Sequence, residues 1–247
     1  MKGICLTTWA AIRSKPESSS EMITSLLFGE TYQVTETTKD WHHIKADADG
    51  YEGWISGNQH FEFSEEHNEY NTLVEDIFLI ASSTSGALMI PCGARVPASL
   101  NFSIGDKKYK LTAGLKNHNH LPRKIKIPAI AHPFLNTPYL WGGRCFSGID
   151  CSGFVQIVYR INGIELPRDT SQQILKGNEI SFDEIDTGDL LFFSNEKDVV
   201  CHTGIYNGKS KIIHASGSVR IDTIDKKGIK LPDGNYSHKL MTCRRVI

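Results

Sequence analysis

Short β-forming runs, cut every few residues by turn signals, fill the front of this sequence, and helical spacing enters only later. That change of period limits the fold more than any other feature of the chain. Residues 1–60 carry Tyr32-Gln33-Val34, Trp41-His42-His43-Ile44 and Tyr51-Glu52-Gly53-Trp54-Ile55, punctuated by Gly29, Asp49-Gly50 and Gly57-Asn58. Close-spaced short strands of this kind predict a small all-β barrel over 1–62. Phe61 to Tyr70, with Glu62, Glu65, Glu66 and Glu69, reads as an acidic linker. Phe78-Leu79-Ile80, Leu88-Met89-Ile90, Leu100-Asn101-Phe102 and Tyr109-Lys110-Leu111 repeat the style and predict a second small barrel over 70–120, with a scaffolding role. His118 to Pro128, holding Pro122, Arg123, Lys124, Lys126 and Pro128, reads as a basic connector.

Residues 125–247 form a third domain of different character. Phe154, Val155, Ile157, Val158 and Ile161 recur at helical spacing over 151–162, and Gly163 is a natural stop. A shorter helix is expected from Asp169–Ser171 to Gly177. Strands are expected at 189–193, 201–206 and 211–215. Helices against an antiparallel sheet make an α+β domain.

Charge and apolar content exclude some functions. Of 247 residues, 27 are Lys or Arg and 28 are Asp or Glu, a net charge of −1. That balance argues against nucleic acid as a partner. The run Ile77 to Ala81 is too short to cross a bilayer, so no membrane partner is expected. With 40% hydrophobic residues the chain is not disordered. The first nine residues show no apolar leader, which points to the cytoplasm; a trimmed leader would point instead to the periplasm or cell surface. Cysteines at 5, 92, 145, 151, 201 and 243 lack a repeated spacing and read as free thiols in a reducing compartment.

Cys151 sits at the expected start of the apolar helix, where unpaired N–H groups favour thiolate and can hold an oxyanion. A buried, inert small hydrophobe is the other reading of such a cysteine. His202 and His214 flank a turn at Asn207-Gly208-Lys209-Ser210. A hairpin centred on Gly208 puts the two rings directly opposite each other on one face, as a base and its orienting group require. Two satisfied polar residues on a half-exposed sheet would look the same in sequence. Cys145, Cys151, Cys201, His202 and His214 offer soft ligands, but no CxxC or HxxxH pair supports a metal site. Nor is there a phosphate-cradling loop.

Longer motifs carry a resemblance. Pro138-Tyr139-Leu140-Trp141-Gly142-Gly143, Gly148-Ile149-Asp150-Cys151-Ser152-Gly153-Phe154, Leu166-Pro167-Arg168-Asp169 with Gln172-Gln173, Thr187 to Phe193, His202 to Tyr206 and Ile213-His214-Ala215 occur in the order found in NlpC/P60 cysteine peptidases. The chain resembles that family over most of 129–247. The resemblance implies a papain-like domain that cleaves cell-wall peptides, with Cys151 as nucleophile, His202 as base and His214 as orienting residue. It places Tyr139 beside the nucleophile, and Asp150, Ser152, Thr170 and Ser171 along the substrate groove. Pro133, expected to kink or shorten a helix that usually continues smoothly, and Asn136, where a small Gly is common, depart from the pattern.

The front of the chain resembles the bacterial SH3-like barrels of the γ-D-glutamyl-L-diamino acid endopeptidases, of dipeptidyl-peptidase VI type. Ser20-Glu21-Met22, Phe28-Gly29-Glu30 and Asp49 to Trp54 carry that likeness. It implies that the first barrel closes the groove, with Glu21 and Tyr51 binding a free N-terminal amine. The expected activity is hydrolysis of the γ-D-Glu–diamino acid bond in peptidoglycan-derived peptides during murein recycling, by a monomer that needs no metal or organic cofactor. A non-catalytic wall-binding module and an acyltransferase on the same scaffold are the competing readings.

Overall fold

The short runs at the front of the chain are strands in the computed structural model, which describes residues 1–63, 72–115 and 127–247. The acidic linker and the basic connector lie mainly outside the described residues, over 64–71 and 116–126. Contacts divide the chain into two units. The first holds the described residues of Met1–Asn119 together with Trp141–Phe146, and the second holds those of His120–Leu140 and Ser147–Ile247.

In the first unit, β1 (Lys2–Ile4), β2 (Trp9–Arg13), β3 (Met22–Leu27), β4 (Thr31–Thr37), β5 (Trp41–Ala46) and β6 (Glu52–Ser56) form one antiparallel, barrel-like sheet in the order β1-β4-β5-β6-β2-β3. Alternation turns Ala10, Ile12, Leu26, Tyr32, Ile44, Ala46 and Ile55 into one buried cluster around Cys5. Further on, β7 (Thr72–Leu73) pairs with β10 (Arg95–Val96). The strands β8 (Phe78–Ser83), β9 (Gly86–Pro91), β11 (Asn101–Ile104) and β12 (Lys107–Leu111) form a sheet in the order β11-β12-β8-β9.

Trp141–Phe146, which includes β13 (Arg144–Cys145), follows both sheets in sequence but packs with the first unit. Arg144 is the reason. Its guanidinium donates to both carboxylate oxygens of Glu30, at 2.9 and 3.1 Å, and to the Ser25 carbonyl at 2.7 Å. Gly142 has φ +75°, and a Cβ there would stand 2.6 Å from the Met22 carbonyl oxygen, so only glycine fits.

The second unit opens with α1 (Ile127–Ala131), which passes into a 3₁₀ turn over His132–Phe134. Pro133 lies in that turn and shortens the helix as expected. Asn136 has φ 69°, which explains how it replaces the commoner glycine: Asn is the side chain that best tolerates the left-handed region. After β14 (Gly148–Ile149) come α2 (Cys151–Ile161) and α3 (Thr170–Gln173). The latter is a single α-helical turn; bonds from the Leu175 and Lys176 N–H groups to the Gln172 and Gln173 carbonyls continue it as tighter turns up to Gly177, at φ 69°.

The expected three strands are present as β16 (Leu190–Ser194), β17 (Val200–Gly208) and β18 (Lys211–Ser216). Four more were not foreseen: β15 (Asn178–Ile180), β19 (Ser218–Asp225), β20 (Gly228–Lys230) and β21 (Tyr236–Arg245). The sheet order is β15-β21-β16-β17-β18-β19-β20, and β21 also pairs with β20, which closes six of the strands into a ring. Leu191, Phe193, Ile212, Ile224, Ile229 and Cys243 fill one core. The helix α2, buried along its whole length, packs on β17 and β18. Among the described residues no helix is long and apolar enough to cross a membrane.

Candidate active site

The helix α2 starts at Cys151 because Asp150 caps it. Asp150 is extended, and its Oδ1 accepts the Gly153 N–H at 2.7 Å. A buried ion pair fixes that cap. Arg168 donates through Nη1 to Asp150 Oδ1 at 3.0 Å and through Nη2 to Oδ2, and Nη1 also reaches Ser152 Oγ at 2.8 Å. Gln173 Nε2 donates to the Ser152 and Pro167 carbonyls at 3.0 and 2.9 Å. Asp150 and Ser152, the residues expected along the groove, are buried and bonded to Arg168, and so brace the turn that carries Cys151.

Thr170 Oγ1 lies 4.0 Å from Cys151 Sγ, and Ser171 is exposed on the same turn. Tyr139 is half-buried. Burial, with Cys151 and Asp150 nearby, pushes its hydroxyl up to about 12, so it remains a proton donor at neutral pH. Cys151 is itself buried. Burial and the Asp150 charge push its thiol up to about 11, against the opposing pull of Thr203 and Ser152 N–H groups and the Thr170 hydroxyl. The helix end alone would favour thiolate; desolvation outweighs it in the resting protein.

The β17–β18 hairpin turns at Lys209 and Ser210, both left-handed, with φ 50° and 55°. A bulge between Tyr206 and Gly208 sets Ile205 opposite Ile213. This corrects the expected register: His202 is not directly opposite His214 but one diagonal step away. Gly204 faces His214 instead. A Cβ on Gly204 would lie 2.7 Å from His214 Cβ, so glycine clears the path between the rings. His202 Nε2 and His214 Nδ1 are 2.7 Å apart, with both residues buried.

The proton positions follow from the next partner. His214 Nε2 lies 3.0 Å from Asp222 Oδ2, and Asp222 also accepts from Arg220 Nε at 2.8 Å. Hydrogen bonding to His214 holds the Asp222 carboxyl below its usual range, so it is ionised and can only accept. Nε2–H of His214 is then the donor and its Nδ1 the acceptor. His202 therefore donates through Nε2–H and keeps a bare Nδ1 for exchange with a thiol. Burial, helped by His214, His238 and Arg220, lowers His202 well below the ordinary histidine value. Thiol and imidazole are thus both neutral at rest. His238 stacks on His202 with ring centres 4.3 Å apart.

Of the residues singled out from sequence, Cys151, His202, His214, Tyr139, Asp150, Ser152, Thr170 and Ser171 belong to the second unit. Glu21 and Tyr51 belong to the first. Glu21 is exposed, and its Oε1 accepts the Trp141 Nε1–H at 2.7 Å. Tyr51 is half-buried, with its N–H donating to Asp49 Oδ1 at 3.1 Å. Sequence reading gave no part to Gly204, Asp222 or His238. The only available signal for Asp222 was its alternation with Arg220 on a strand that follows His214. Among the described residues no group of three or more His, Cys, Asp or Glu is arranged to hold a metal ion. A thiol, a tautomer-fixed imidazole and N–H donors at a helix start can together carry out acyl transfer.

Known proteins resemble this chain in sequence and in fold. The profile of the NlpC/P60 family matches residues 136–242, and that of the bacterial dipeptidyl-peptidase Sh3 domain matches residues 12–59. The chain is 28% identical over 241 residues to the gamma-D-glutamyl-L-lysine dipeptidyl-peptidase of Bacillus subtilis (strain 168), spanning 90% of this chain and 80% of that one. It is 25% identical over 262 residues to dipeptidyl-peptidase 6 of Lysinibacillus sphaericus, spanning 92% and 93%. Its fold is that of an NlpC/P60 family protein from Bacillus cereus ATCC 10987, with a TM-score of 0.84 at 21% identity over 100% of this chain and 99% of that one. The chain carries an NlpC/P60 family domain over residues 136–242, preceded by a bacterial dipeptidyl-peptidase SH3 domain over 12–59.

Proposed function

We propose that this NlpC/P60 cysteine peptidase hydrolyses the γ-D-glutamyl–L-diamino acid bond of cell-wall peptides that begin with a free L-Ala. The observation that carries the reading is the buried His202–His214 contact of 2.7 Å within the unit whose helix α2 begins at Cys151. The names of the full-length relatives support the substrate class.

In the proposed reaction His202 Nδ1 takes the Cys151 proton as Sγ attacks the γ-carbonyl carbon of D-Glu. The neutral resting pair suits this order, since the thiolate forms with the attack. N–H groups at the start of α2 and the Tyr139 hydroxyl hold the oxyanion. The imidazolium then protonates the leaving amine, which departs and leaves a thioester. Water, deprotonated by His202, attacks the thioester and releases L-Ala-γ-D-Glu and the free thiol. Thr170 and Ser171 face the peptide, while Glu21 and Tyr51 take its ammonium group. The fixed Trp141–Glu21 hydrogen bond supports that last assignment, because it holds an exposed carboxylate in one orientation.

The finer architecture belongs to the same proposal: 70–120 is a second SH3-like barrel that serves as scaffold, and the catalytic domain is papain-like. Free thiols at Cys5, Cys151, Cys201 and Cys243 suit a reducing compartment, and cytoplasmic recycling of wall fragments is the proposed setting.

The test is hydrolysis of L-Ala-γ-D-Glu-L-Lys and its meso-diaminopimelate analogue by wild type and Cys151→Ala, with N-acetylated copies alongside. Cleavage of the free-amine peptides alone, lost in the variant, is the expected result. Equal cleavage of the acetylated copies would remove the amine-binding role of Glu21 and Tyr51. A wild type that cleaves none of them would overturn the substrate.

A further inference from the structure

Three strands of the second unit carry one hydrogen-bonded line. His202 on β17, His214 on β18 and Asp222 on β19 each meet the next by a diagonal step across neighbouring strands. In register His214 faces Arg220, and Asp222 faces Ile212. Both contacts are short, at 2.7 and 3.0 Å, and the middle ring is fully buried. A buried ring with both nitrogens engaged cannot change tautomer alone: moving its proton would leave two facing donors on one side and two facing acceptors on the other.

We propose that Asp222 is a fourth, positioning member of the site, acting through His214 to keep the His202 proton on Nε2 and Nδ1 free for Cys151. The proposal rests on His202 being the base, as argued above. The Asp222 carboxylate accepts the His214 Nε2–H, which leaves His214 Nδ1 as an acceptor and sets the His202 tautomer in turn. When His202 takes the thiol proton, Asp222 also supplies the negative charge that the imidazolium faces through His214. Arg220 Nε donates to the same carboxylate oxygen, Asp222 Oδ2, at 2.8 Å. The charged and titratable groups facing His214 are His202 from β17, His238 from β21, and Arg220 and Asp222 from β19. With Asp222 removed, none of these others accepts a proton bond from His214 Nε2 in the structure.

The test uses the full chain with Asp222→Ala, Asp222→Asn, Asp222→Glu and Arg220→Gln. Three readouts are taken: kcat and KM on L-Ala-γ-D-Glu-meso-diaminopimelate, ¹⁵N NMR of the histidine rings, and peptide-resolved alkylation of Cys151 by iodoacetamide against pH. Asp222→Ala and Asp222→Asn are expected to lower kcat by about 10–100-fold with KM changed by less than about threefold. The same variants should move His214 away from the Nε2–H tautomer and slow Cys151 alkylation near neutral pH. The exposed Cys201 serves as the unchanged internal reference. Asp222→Glu should recover most of the rate, and Arg220→Gln should lose less than Asp222→Asn.

Folded Asp222→Ala with wild-type kcat and an unmoved His214 tautomer would overturn the proposal. An Arg220→Gln variant that loses as much as Asp222→Asn with both tautomers unmoved would also overturn it, by showing a purely structural ion pair. If Asp222→Ala fails to fold, the Asn and Glu variants decide. Should wild type not cleave the peptide, the substrate reading fails, yet the NMR and alkylation arms still report on Asp222.

Discussion

Arg144–Glu30 in the first unit and Arg168–Asp150 in the second are both buried, two-pronged arginine–carboxylate pairs, and they hold different things. In the first unit Arg144 meets Glu30, at 3% and 2% exposure. In the second Arg168 meets Asp150, at 2% and 5%. The chemistry is the same: a guanidinium fork on a carboxylate, removed from water. Glu30 also accepts the Leu27 N–H at 2.8 Å and Arg144 the Ser25 carbonyl, so that pair ties Trp141–Phe146 to the strand before it. Asp150 instead caps the helix that begins with the nucleophile, and Arg168 also holds Ser152. A buried ion pair therefore says little about function by itself. The backbone group on its far side decides what its loss would disturb.

That contrast can be broken most forcefully at Arg168. Arg168→Met should destabilise the second unit by about 3–5 kcal/mol, since Asp150 is left buried without its cation. Activity should fall by roughly 100-fold in the fraction that remains folded, because the Cys151 turn shifts. Chemical denaturation with active-site alkylation separates the two effects. Arg144→Met should cost the first unit a similar ~3–5 kcal/mol while Cys151 alkylation keeps its wild-type rate. The double variant Glu30→Leu/Arg144→Met should recover part of that loss, as paired apolar replacements do. Gly204→Ala comes next. It places a methyl group against His214 Cβ and should lower kcat by about 10-fold and stability by ~1–3 kcal/mol. Melting of each single variant beside its kcat would check this.

The smallest expected effect is that of pH on stability. Burial holds His202 and His238 below the ordinary histidine value of 6.5, with His238 down to about 4. Below pH 6.5 the unfolded chain binds protons that the native unit refuses. Stability from this source is complete above 6.5 and declines as pH falls from there through the lowered values. In the first unit, His60 is shifted the same way but is less buried. Melting curves at pH 7.5 and 5 should therefore show the larger fall in the second unit. Rate profiles should place the acid limb of kcat/KM below 6.5.

The nucleophile's setting was readable because helix-start chemistry is local: Asp150, Cys151 and the apolar spacing to Ile161 lie within one stretch. The pairing of His202 with His214 was readable because hairpins are also local, but its diagonal offset was not. That offset comes from a bulge between Tyr206 and Gly208 and from a turn that falls at Lys209–Ser210 instead of being centred on Gly208. Asp222 and His238 escaped because β19 and β21 break the alternation that marks a strand. In β19, Val219 and Ile224 are buried while Ile221 is exposed, and in β21 Met241 is exposed. Strands that lend their inner face to polar groups do not look like strands. Arg144 joined the first unit through a partner 114 residues earlier, a distance over which sequence pattern carries no information.

A protonated resting Cys151 also bears on how the protein meets reactive chemicals. Peroxides and simple electrophiles attack thiolates, and in this protein burial raises both Cys151 and Cys201, so what separates the two is access: Cys151 is buried and Cys201 exposed. Oxidative damage should accumulate first at Cys201 and spare the nucleophile. A covalent inhibitor would gain little from a hotter warhead; its potency would come from peptide-like groups that settle in the site and draw the proton onto His202.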